Sequence, residues 1–147
     1  MSLKERLLED MKVAMRDKDV IRKNTVQLTR SVVLQVEKDN RITLDDDGVI
    51  DIIAKEAKKR RDAMPEFEKS GRQDLINNLK TEIEILMQYL PQQLTEEELE
   101  VLVRQVIQET GASTAKDMGK IMQAVMPKVK GKADGKMINQ IAKKILG

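Results

Sequence analysis

The chain contains no cysteine, no histidine and no tryptophan, and its aromatic content is one Phe67 and one Tyr89. The missing cysteines and histidines exclude disulfides, thiol nucleophiles, imidazole bases and the usual zinc ligands together. With so few rings, a core must be built from Leu, Ile, Val and Met. No apolar run approaches the roughly 18 residues of a membrane span. The first residues, MSLKERLLEDMKVAMRDKD, carry a charge every few positions and do not read as a signal peptide, so a cytoplasmic chain with no membrane partner is expected.

What is present is aliphatic and charged. About 40% of the 147 residues are hydrophobic and 35% charged, with a net charge of only +2, a balance that favours folding over disorder. Apolar residues recur at helical spacing throughout, and no run shows β alternation. The fold class predicted is all-α: an N-terminal helical module of about four helices over residues 1–90, and a small three-helix module over 91–147. Ser2 with Glu5 and Thr95 with Glu98 have capping-box spacing. In the second helix the stripe Ile21, Thr25, Leu28, Val32 and Val36 is expected to face the core. Pro65 should kink or interrupt the third helix. Ser113 or Thr114 should cap the sixth helix and Asp134 the last. Pro91 ends the fourth helix and marks the boundary.

Partitioning the charge exposes an asymmetry that the small total hides. Residues 1–90 balance, with 18 basic and 18 acidic side chains. Residues 91–111 carry one Arg and five Glu, and residues 112–147 carry eight Lys and two Asp, a net of +6. Lys128, Lys130, Lys132 and Lys136 surround Gly131 and Gly135 in a loop that leads into a helix N-terminus. Such a terminus presents free N–H groups to an anion, and glycine allows close approach of a backbone. If Asp134 caps that helix, a phosphate would instead be held mainly by the flanking lysines. Without aromatic interleaving, stacking of unpaired bases is not supported, and contact with the backbone and shape of a folded RNA is favoured. Solvated lysines are the competing reading for any one position.

Other clusters read as structural. Lys55, Lys58, Lys59, Arg60 and Arg61 share a helix with Asp51, Glu56, Asp62 and Glu66 and suggest an ion-paired, exposed face. Glu96, Glu97 and Glu98 occupy a first helical turn, where acids are favoured. Glu82, on an apolar face, suggests an ion pair with a Lys or Arg. No phosphate-binding loop, dinucleotide fingerprint or metal-ligand set appears, so no catalytic residue, cofactor or metal is predicted.

Three stretches, KKRRDAMPEFEKSGRQDL (58–75), EIEILMQYLPQQLTEEEL (82–99) and GASTAKDMGKIMQAVMPKVKGKADGKMINQIAKKIL (111–146), resemble the YqeY family over essentially the whole chain. Residues from about 91 onward also resemble the tail domain of the B subunit of the glutamine-dependent aspartyl/glutamyl-tRNA amidotransferase, and similar modules are fused to some glutaminyl-tRNA synthetases. The resemblance implies a tRNA-affinity module. Its matched positions are Lys116, Lys120, Lys128, Lys130, Lys132 and Lys136, with Gly131, Asp134, Gly135 and Asn139 shaping the turn and last helix. Gly135 departs from the tails, which tend to have proline after the matched aspartate. The implied function is a non-catalytic accessory protein that binds tRNA or another structured RNA. The alternative is an adaptor for an aminoacyl-tRNA synthetase or amidotransferase. A carbon–nitrogen ligase using glutamine as amide donor is the third reading, its chemistry residing in other domains of the amidotransferase.

Overall fold

Five of the seven α-helices start where a short polar side chain accepts a backbone N–H that the helix leaves without a partner. In the computed structural model, which describes residues 1–147, α1 (Leu3–Arg16) is capped by Ser2, whose Oγ accepts from Glu5 N at 3.1 Å. Asp19 caps α2 (Val20–Asn40) through Arg22 N at 3.2 Å, and Asp45 caps α3 (Asp46–Ser70) through Gly48 N at 2.9 Å. Helix α4 (Gln73–Met87) starts without a side-chain cap. The second half repeats the device: Thr95 caps α5 (Glu96–Thr110) and Asp134 caps α7 (Gly135–Leu146), with the short α6 (Met118–Val125) between them. Left-handed residues at Arg41, Gly71 and Gly111 close α2, α3 and α5. No strand occurs, and the fold is all-α.

Two compact units follow one another, Met1–Leu90 and Pro91–Gly147. The first buries Leu7, Val26, Val33, Val49, Ile53 and Leu86, and it takes in Tyr89 just beyond α4. Glu37 ties three of its segments together. Its carboxylate accepts from Lys4 Nζ at 2.7 Å and from Leu44 N at 2.7 Å, which joins α1, the end of α2 and the loop before α3. The second unit buries Leu99, Val103, Ile121, Val125, Val129 and Ile138 around its own centre. No helix is long and apolar enough to cross a membrane.

Three expectations change on contact with the structure. The buried stripe of α2 is Thr25, Val26, Thr29 and Val33, whereas Leu28 lies 51% exposed. Apolar side chains are distributed around much of this helix, so period alone did not choose the inward face; packing against α1, α3 and α4 did. Pro65 does not interrupt α3, which runs through it to Ser70. The proline is exposed, so the carbonyl four residues earlier that lacks an N–H partner lies on a solvent-side face, where water can serve it. The basic run on α3 is not uniformly exposed either. Glu56 is 4% exposed, with Lys59 Nζ at 2.9 Å and Arg60 Nη1 at 3.6 Å. Arg60 also reaches Glu82 Oε1 at 3.4 Å, so Glu82 is indeed held in an ion pair.

Candidate nucleic-acid interface

The backbone around Lys130 is set by one tight turn. Lys130 has φ −50° and ψ 117°, Gly131 has φ +72°, and Lys132 N donates to Val129 O at 2.7 Å. This is a type II β-turn, whose third position needs the left-handed region that glycine enters without steric cost. Gly131 is therefore demanded by the turn, which holds Lys130 and Lys132 on its two sides. The segment after Pro91 pins the turn in place. Leu94 N donates to Lys132 O at 2.9 Å, and Gln93 Nε2 donates to Gly131 O at 2.7 Å. These contacts span 38 residues, and no local pattern in the sequence announces them.

The six matched lysines are all exposed, but they are not gathered at one point. Lys128 lies in a single 3₁₀ turn, Met126–Val129, that follows α6, and Lys136 lies in the first turn of α7. With Lys130 and Lys132 they form a continuous basic segment. Lys116 and Lys120 sit at the opposite end of α6, an eight-residue helix about 12 Å long. Lys128 Nζ approaches Glu109 at 3.7 Å, a half-exposed pair that water screens. Lys120 lies beside Asp117, whose carboxyl is held below its ordinary pKa first by the N–H groups of Ser113 and Thr114, then by Lys120. That carboxylate organises the 3₁₀ turn Ala115–Asp117 ahead of α6.

The same geometry meets the condition attached to the helix terminus in the sequence, because Asp134 does cap α7. Asp134 Oδ1 accepts from Lys136 N at 3.0 Å, so the aspartate already occupies one of the first donors of α7. Gly135 does not form a cradle: a Cβ there would meet Met122 Cε at 3.6 Å and Met126 Sδ at 3.7 Å, in ordinary contact. Its place is packing against α6. Asn139 is half-buried one turn further along α7. No group of three or more Asp or Glu is arranged to hold a metal ion.

The whole length of this arrangement matches one family, described as Yqey-like protein, over residues 4–146. The chain belongs to the YqeY family. Among curated relatives of the chain, the protein called altered inheritance of mitochondria protein 41, mitochondrial, from Kluyveromyces lactis is 37% identical over 95 residues, covering 62% of this chain and 51% of the relative. Its namesake in Lachancea thermotolerans is 37% identical over 87 residues, covering 58% and 46%. An uncharacterized protein of Schizosaccharomyces pombe is 31% identical over 90 residues, covering 61% and 70%. The match with each of the two proteins named mitochondrial covers about half of that relative's length. Both are named mitochondrial, which overturns the expectation of a cytoplasmic chain. The charged first residues could not decide the matter, because organelle-targeting segments are amphipathic and basic rather than continuously apolar.

Proposed function

We propose that this YqeY chain is a non-catalytic accessory protein that binds tRNA or another structured RNA through residues 91–147. The observation that carries the reading is the four exposed lysines Lys128, Lys130, Lys132 and Lys136, on a segment held by a type II turn and pinned by Gln93 and Leu94. Lysine contacts phosphate as a point charge with little geometric selectivity. A stiff turn compensates by fixing where those charges stand. The resemblance of the same residues to the amidotransferase tail makes tRNA the first RNA to try. Organellar tRNA belongs beside bulk tRNA in that trial, since two relatives are named mitochondrial.

The test is a salt titration of tRNA binding. Each phosphate neutralised on duplex RNA should steepen the log–log dependence by about 0.9, taking the value for DNA duplex as a guide. Reversing Lys128, Lys130 and Lys132 to Glu should weaken binding far more than reversing Lys58 and Lys59, and should flatten the slope by about three contacts' worth. Undetectable binding at low salt would sink the proposal, and equal effects from the two sets would move the surface elsewhere. One Tyr and no Trp leave the protein nearly transparent in the near ultraviolet, so co-purifying RNA would dominate its spectrum.

A further inference from the structure

Gln92 and Gln93 look alike in the sequence, and the structure gives them different work. Gln93 Nε2 donates to Pro91 O at 3.0 Å and to Gly131 O at 2.7 Å. Both partners are carbonyl oxygens, so the nitrogen of this amide must face them, and each of its two hydrogens has its own acceptor. Gln92 is exposed beside it and makes neither bond. The next residue adds a third tie, from Leu94 N to Lys132 O at 2.9 Å.

These ties close around the lysine turn. Val129 anchors its first position in the core of the second unit. The turn's own bond, from Lys132 N, uses the Val129 carbonyl, while Gln93 and Leu94 take the carbonyls of Gly131 and Lys132. A carbonyl oxygen without a donor carries partial negative charge, which would oppose a phosphate beside the exposed Lys130 and Lys132. With all three oxygens supplied with donors, the turn presents its lysines without that opposition. The residues that supply the outer donors also lie at the joint of the chain. Leu90 packs against the centre of the first unit and Leu94 against that of the second, so residues 91–93 are all that lies between the two anchors.

We propose that this joint is a working part of the RNA site, with Gln93 as its positioning residue; the inference rests on the RNA reading above. Gln93 itself touches no phosphate. It fixes the turn from which Lys130 and Lys132 reach one. Linkage makes the effect reciprocal: a turn that must be held in order to bind RNA is held more firmly once RNA is bound. The joint tightens on binding, and loosening it releases RNA.

A double-mutant cycle on tRNA binding by the full chain tests this. Gln93→Met keeps the length and neutrality of the side chain and removes both donors. It should weaken binding about three- to tenfold, the range expected from losing one or two hydrogen bonds. The slope of the salt dependence should stay unchanged, because no charge is lost. Gln92→Met, the same chemical change one residue earlier, should bind like the natural chain. In a background of Lys130→Gln with Lys132→Gln, Gln93→Met should cost almost nothing further, since the charges it positions are gone. The natural chain supplies a readout that needs no variant to fold: bound tRNA should slow hydrogen exchange at the amides of Leu94 and Lys132. Full binding by Gln93→Met, an equal loss from Gln92→Met, a full further loss in the two-lysine background, or unchanged exchange at both amides each overturns the proposal and leaves the RNA reading standing. Absence of tRNA binding by the natural chain removes both.

Discussion

Tyr89 shows how a single residue can be visible in the sequence while its chemistry is not. As the only tyrosine it stood out in the sequence, yet nothing local placed its ring between Arg6, 4.5 Å from the centroid, and the carboxylate of Asp10, to which its hydroxyl donates. Burial, and then the hydrogen bond to Asp10, push the phenol well above its ordinary value near 10, with Arg6 acting in the opposite direction. The folded chain thus holds this proton more tightly than the unfolded chain. Its contribution to stability is complete below about pH 10 and is lost as pH rises toward the folded value. A spectrophotometric titration reads this one group without overlap. No phenolate should appear in the native protein near pH 10.5, about where a free tyrosine would be mostly ionised, and it should emerge together with alkaline unfolding. An ordinary titration curve in the folded state would contradict the burial. Glu56 is the converse case. Its neighbours Lys59 and Arg60 are adjacent in the sequence, but its depth depended on α4 covering that face of α3.

At the scale of elements, caps were legible and faces were less so. Asp134 and the Ser2 and Thr95 caps act on donors two or three residues away, so their signals are local. The rotation of α2 was not, since Thr25 and Thr29 are buried where Leu28 and Leu34 are left outside. Glycine carried an ambiguous signal as well: Gly131 and Gly135 look alike in the sequence and do different work. Ala at Gly131 should strain the type II turn by about 1–2 kcal/mol, the cost of a left-handed non-glycine residue. It should lower the melting temperature of the second unit and weaken RNA binding by displacing Lys130. Ala at Gly135 should be tolerated or stabilise by up to about 1 kcal/mol, because its Cβ meets only methionine side chains at ordinary distance. Thermal melts of the two variants should move in opposite directions or differ clearly. Equal destabilisation would refute the separate roles.

At the scale of the whole molecule, each unit has its own buried centre, and the excess positive charge belongs to one of them. If RNA binds residues 91–147, ligand free energy should appear there. At a free RNA concentration about 100 times Kd, binding adds about 2.7 kcal/mol to the opening of the bound unit, so its most protected amides should exchange roughly a hundredfold more slowly. Amides of residues 1–90 should keep their rates. Hydrogen exchange with and without tRNA measures both at once, and uniform slowing of the two units would place the contact elsewhere. Read alone, the sequence determined the helical class, most helix starts, the confinement of basic charge to the end of the chain and the family resemblance. All of these rest on composition or on residues a few positions apart. Tertiary structure alone decided the inward face of α2, the burial of Glu56 and Tyr89, and the pinning of the lysine turn by Gln93 and Leu94. These depend on groups separated by tens of residues, and only packing brings such groups together.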